Sequence, residues 1–214
     1  MKIVDLSITW GSQITPVTGL PSIEFSPLTT HEEHHRSNTK VVFSIHTGTH
    51  IDAPYHFWPD MITIDQVSLD RLVGPAILLD IRGKARAKEP ITLSMLKEAG
   101  LPEKEELAGK RLILFSAWAE EHWNKPDFYT ENPYIHTETA EYLSKSGITA
   151  LGVDCAVDPG DPFPVHRIML KQGIPLIENL VNLDKLPKEF TLVALPVKVE
   201  HGDGGPARVV AFVE

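Results

Sequence analysis

Apolar positions fall into runs that are either continuous or helically spaced. "PAILLDI" (75–81) and "RLILFSA" (111–117) are unbroken apolar stretches bounded by polar residues, the pattern of strands covered on both faces. "IVDLSI" (3–8), "ITALGVD" (148–154), "IPLIE" (174–178), "FTLVALPVKV" (190–199) and "RVVAFV" (208–213) predict further strands, and "VVFSIH" (41–46) predicts one entering a histidine-rich segment. Helices are expected at three places. "TLSMLKEAG" (92–100) has Gly100 past its end. His136–Gly147 offers Thr137 as N-cap, Glu138 in the first turn and Gly147 as a stop. "PVHRIMLKQG" (164–173) is the third. From Gly11 to Lys40 the chain carries Pro16, Pro21, Pro27 and many Ser/Thr, and reads as mostly loop. Strands and short helices interleave, but several strands follow one another without a helix. The expected fold class is therefore α/β, a mixed sheet or barrel core with short helices around it, in a single domain over 1–214.

Composition removes several functions. The 214 residues are 42% apolar and 23% charged, ordinary values for a globular chain. A net charge of -9 with no Lys/Arg run gives no electrostatic hold on nucleic acid. Asp5 interrupts the N-terminus before an apolar leader can build, and no run approaches the roughly 18 apolar residues of a membrane span. The expectation is a soluble cytoplasmic protein with no membrane partner. Cys155 is the sole cysteine and reads as a small buried hydrophobe in a reducing compartment.

The chemistry concentrates in "HTGTHIDAPYHF" (46–57), with His46, His50, Asp52 and His56. Fully extended, His50 and Asp52 would share a face about 6.6 Å apart, close enough for one ion, whereas His46 and His50 would be about 13 Å apart. The strand must bend between them. Gly48 is where a bend costs least, and Pro54 then ends regular pairing. So folded, His46, His50 and Asp52 meet at one point and His56 returns past it. Two imidazoles and a carboxylate suit a divalent transition metal with a position open for water, and His56 is the acid or base beside it. Further ligands must come from elsewhere. His166 shares a helix face with Met169 and Leu170, as either a satisfied core histidine or a fourth ligand. Glu178 ends the apolar run 174–177, as either a strand reaching solvent or another ligand. Asp154 and Asp158 either accept hydrogen bonds behind the site or cap turns. "HEEHH" (31–35), His122, His136 and His201 read as solvated. Phe57, Trp58, Trp118 and Trp123 are candidates for an apolar wall.

The segment 46–57 resembles the HxGTHxDxPxHF signature of the cyclase-like metal-dependent hydrolases, which include bacterial kynurenine formamidase and isatin hydrolase. The likeness continues in "DLS" (5–7), "GITALGVDCAVDP" (147–159), "PVHRIMLKQGIPLIENL" (164–180) and "GDGGPARVVAF" (202–212), in family order. It implies a swivelling β/β/α fold and a centre of two divalent ions, zinc or in some members manganese. His46, His50 and Asp52 would hold the first, Asp52 bridging to a second held also by His166, with Glu178 joining the set. His56 would move the proton as a formamide, cyclic amide, lactone or similar bond is hydrolysed. A homodimer or higher even homo-oligomer acting on a small molecule is implied as well. One departure stands out. Where kynurenine formamidases carry Trp in an N-terminal loop, "PVTGLPS" (16–22) has Thr18, so the metal site carries over more directly than N-formylkynurenine does. Three other readings compete. A non-haem iron oxygenase would use His50, Asp52 and His166 as a facial triad, but those folds are all-β and three helices are expected here. A dehydratase or cyclase could use the same fold. A silent metal protein would have no use for the free base His56.

Overall fold

The computed structural model describes residues 1–11 and 14–214. Its strands are β1 (Lys2–Asp5), β2 (Glu24–Thr29), β3 (Asn38–Val42), β4 (His50–Asp52), β5 (Val73–Asp80), β6 (Pro90–Ile91), β7 (Arg111–Phe115), β8 (Tyr134–Ile135), β9 (Ala150–Val153), β10 (Leu176–Glu178), β11 (Glu189–Pro196) and β12 (Gly204–Val213). The continuous apolar runs lie side by side, β5, β7, β9 and β10 pairing in parallel. β11 adds antiparallel to β5, β12 to β11, and β4 antiparallel to β10. One further pairing, β4 with β12 through Gly204↔Asp52 and Pro206↔His50, closes seven strands into a ring. β1 continues along the same edge of β12, from Asp5↔Val210 to Lys2↔Val213. The mixed barrel core with short helices is the fold class expected from the pattern of runs.

Continuous apolar runs follow from burial on both strand faces. Ala76 and Leu78 of β5 belong to one core with Ile113, Ile51, Ile177, Leu192 and Val209. Ile77 and Leu79 face the other, where Leu112, Leu114 and Leu151 meet Leu96, Leu143, Met169 and Leu170 from the surrounding helices. Truncating one such fully buried leucine to alanine costs about 2–5 kcal/mol. By contrast β11 alternates buried and partly exposed positions, because one of its faces meets solvent.

Helix ends follow local chemistry. The Thr92 hydroxyl accepts from the Met95 N–H to start the helix Leu93–Glu98. The helix Thr137–Ser144 begins one residue earlier than expected. His136, not Thr137, is its N-cap, with Nδ1 accepting from the Glu138 N–H. The helix Pro164–Lys171 starts with proline at its first turn, where no N–H is needed.

The segment expected to be loop from Gly11 to Lys40 requires correction. Ser12 and Gln13 lie outside the described residues, but β2 and β3 form a two-stranded arm with the short helix His31–His34 between them. The strand expected at 41–46 is correspondingly displaced to Asn38–Val42. The arm's strands pair with each other and their side chains are mostly exposed, so no apolar alternation against a core marks them in the sequence. Pro27 sits at a register shift, where a missing N–H is tolerated.

Candidate active site

The bend expected at Gly48 is present. Gly48 has φ +65, and a Cβ there would meet Trp10 Nε1 at 2.8 Å, so both backbone and space require glycine. The Asn179 amide donates to the Gly48 carbonyl at 2.9 Å and holds the turn. β4 then carries His50 and Asp52, and Pro54 opens a single helical turn (Pro54–His56) that brings His56 back over the site. Pairing of β4 with β10 sets Glu178 opposite His50. His166 enters from the first turn of its helix. The structure thus brings together all six site residues expected from sequence.

Each of three imidazoles has one nitrogen committed to an acceptor. His50 Nδ1 donates to the Gly48 carbonyl at 2.9 Å, His166 Nδ1 to Asp158 Oδ2 at 2.7 Å, and His46 Nε2 to Asp203 Oδ2 at 2.9 Å. The second nitrogens all face carboxylates. His46 Nδ1 lies 2.8 Å and His50 Nε2 3.3 Å from Asp52 Oδ1. His166 Nε2 lies 3.3 Å from Asp52 Oδ2 and 3.7 Å from Glu178 Oε1, and His50 Nε2 lies 3.8 Å from Glu178 Oε2. With the first nitrogens protonated, the second ones present lone pairs to carboxylate oxygens. That arrangement repels unless protons or cations sit between them. Asp52 Oδ2 is moreover buried without a hydrogen-bond partner. This donor set fits a divalent cation, and two groups have ligand atoms within reach of a common ion: His50, Asp52 and Glu178 inside, and His46, Asp52 and His56 towards the rim.

Without a cation, protons fill the gap. Burial pushes the His46 and His166 imidazolium pKa values down. The carboxylates around them more than offset this, Asp203 and Asp52 at His46, and Asp158 and Asp52 at His166, raising both to about 10. Burial pushes Asp52 up, yet His50, His166 and His46 hold it well below the usual carboxylate range. Glu178 is raised, chiefly by burial, with the Asp52 charge adding to it.

The cluster forms the polar end of a cavity of about 440 Å³. Val17, Leu20, Phe57, Phe163 and Tyr129 supply its apolar wall, and Thr18, the departure in "PVTGLPS", lines it as well. Of the four aromatic residues proposed for that wall, only Phe57 lines it. Trp58 donates to the Arg167 carbonyl, Trp118 stacks on His122, and Trp123 rests edge-on against Phe128. Asp158 accepts from the Val165 and His166 N–H groups as well as from the His166 ring, so it caps the helix and orients the imidazole together. Asp154 instead accepts from Ser116 N and Oγ, away from the cavity, and burial pushes it up to about 7. Cys155 is buried, as expected. Sequence reading missed Asp203 and Asn179. The first had a signal, an acidic residue set between glycines in "GDGG" (202–205); the second had none.

The seven-strand ring with this cluster at one end defines a recurrent architecture. An isatin hydrolase bound to the product analogue thioisatinate matches with a TM-score of 0.86 at 24% identity, covering 99% of this chain and 92% of the other. A protein described as a potential metal-dependent hydrolase with cyclase activity matches at 0.79 with 25% identity, covering 98% of this chain and 96% of that one. In sequence, the kynurenine formamidase of Bacillus cytotoxicus is 31% identical over 211 residues, 97% of this chain and 95% of that protein. Residues 4–158 match the cyclase family, described as putative cyclase, and the chain belongs to that family.

Proposed function

We propose that the protein is a metal-dependent hydrolase of a formamide, cyclic amide or related carbonyl C–N or C–O bond. The observation that carries this is the convergence of ring nitrogens of His46, His50 and His166 on the buried Asp52 carboxylate, one of whose oxygens is unpartnered, at the end of a partly apolar cavity. His46, His50 and Asp52 would hold one divalent ion and Asp52, His166 and Glu178 a second, zinc or manganese. Such ions, when bound, polarise a carbonyl and lower the pKa of water. The chain's own residues do the rest. Val17, Leu20, Phe57 and Phe163 receive the apolar part of a small substrate and exclude water around it. His56, on the rim, takes a proton from the attacking water and returns it to the leaving nitrogen or oxygen. The names of the relatives, kynurenine formamidase and isatin hydrolase, support amide-type substrates. A cyclase reading is kept by the family's description, since closing a cyclic amide or lactone is such a hydrolysis run backwards. The oxygenase reading is weakened: His50, Asp52 and His166 do converge, but with His46 and Glu178 beside them, and the fold is not all-β.

We place the whole chain in one domain, working in the cytoplasm as an even homo-oligomer. No helix among the described residues is long and apolar enough to cross a membrane. The test is a screen of zinc- and manganese-loaded protein against N-formylkynurenine, isatin, formanilide and simple lactones, with an oxygen electrode alongside. Metal-dependent hydrolysis of one of them is expected. Oxygen uptake without hydrolysis would refute the assignment.

A further inference from the structure

We propose that Asp203 is a positioning residue: one carboxylate oxygen fixes which nitrogen carries the proton in both His46 and His56, tying the metal cluster to the proton-transfer residue. The inference rests on the hydrolase reading above and adds a component to it. Asp203 Oδ2 lies 2.9 Å from His46 Nε2 and 3.3 Å from His56 Nδ1. The two rings lie face to face at 4.1 Å between centroids, tilted by 32°, against the same oxygen. An ionised carboxylate only accepts, so the His56 nitrogen that faces Asp203, Nδ1, is its protonated one. His46 faces Asp203 through Nε2 and Asp52 through Nδ1, and with a cation between Nδ1 and Asp52 its one proton would stay on Nε2, against Asp203. His56 keeps Nε2 as the nitrogen that takes up and returns a proton, the role a carboxylate behind an imidazole serves in acid–base sites.

The backbone is built to hold this carboxylate in place. The Ala53 N–H donates to the Asp203 carbonyl at 2.9 Å, and Gly204 pairs with Asp52. A Cβ on Gly204 would fall 2.7 Å from the Ile51 carbonyl and 3.2 Å from His46 Cε1, so the loop approaches the strand and the ring only because that residue is glycine. The Asp203 side chain is still 40% exposed, so a small anion can reach its place.

The experiment combines two readouts on zinc-loaded protein. Long-range ¹⁵N–¹H spectra of imidazole-labelled wild type should show His56 protonated at Nδ1, and Asp203→Ala should lose that preference. On whichever amide the wild type hydrolyses, Asp203→Ala should lower kcat about 10- to 100-fold, with KM nearly unchanged at equal zinc content, and added formate should restore part of the rate. Asp203→Asn, which keeps the loop's volume, should retain the wild-type unfolding midpoint and still lose kcat. The proposal is overturned if wild-type His56 carries its proton on Nε2, or if both variants turn over within about twofold of wild type at equal zinc, a difference too small to mark a lost partner. Should wild type hydrolyse no amide, the hydrolase reading fails, and the tautomer spectra still decide the role of Asp203.

Discussion

Two stretches of this chain carry three histidines each, and only the second gathers its imidazoles with carboxylates within reach of a common ion. His31, His34 and His35 sit in and just after a four-residue helix at the turn of the β2–β3 arm, all exposed, with contacts to near neighbours such as Thr30 and Glu33. His46, His50 and His56 sit around a kinked strand, and their partners come from across the fold. Asp203, for example, is 157 residues from His46 along the chain. The difference lies in the closed ring, not in the number of imidazoles. Pairing of β4 with both β10 and β12 delivers Glu178 to the inner end and Asp203 to the rim of the same cluster, and burial makes the Glu178 charge count.

The comparison predicts sharply unequal outcomes. Asp52→Ala removes the carboxylate shared by both groups of ligands. It should abolish metal retention and lower hydrolysis by at least about 10³-fold, read by elemental analysis and steady-state rates. His56→Ala should lower kcat about 10²- to 10⁴-fold while the metal stays bound. Asp158→Asn weakens the acceptor behind His166. It should cost about 10- to 100-fold in metal affinity, read by competition with a chelating dye.

Smaller effects follow from protonation. In metal-free protein His46 and His166 are raised from the ordinary 6.5 to about 10. A raised imidazole stabilises the fold fully below about 6.5, and that contribution is lost as pH climbs through about 10. The unfolding midpoint of chelated protein should therefore fall between those limits. Zinc, which binds the deprotonated rings, should remove the fall. Smallest of all, His31→Ala should leave stability within about 0.5 kcal/mol and activity unchanged.

Much of the inner site was legible because one kinked strand carries it. His46, His50, Asp52 and His56 lie within eleven residues, and Gly48 and Pro54 mark where the strand must bend and stop. His166 and Glu178 were visible as an inward helix position and a strand end, but only the family resemblance gave them a task. The core strands were legible because burial on both faces forces unbroken apolar runs. The closure of the ring was not, since β4 is three residues long and its pairing with β12 depends on a glycine-flanked loop far along the chain. The β2–β3 arm was hidden for a different reason: strands that face solvent on both sides need no alternation.

The central claim is that buried imidazoles and carboxylates around Asp52 hold a divalent cation. Elemental analysis of tag-free protein, purified without chelator, tests it most directly when wild type, Asp52→Ala and a variant with His31, His34 and His35 all replaced by Ala are measured together. Zinc or manganese should accompany wild type and the triple variant in stoichiometric amounts and be missing from Asp52→Ala. Metal that disappears with the three exposed histidines and persists without Asp52, or a wild type that binds none even after cations are supplied, would contradict the account.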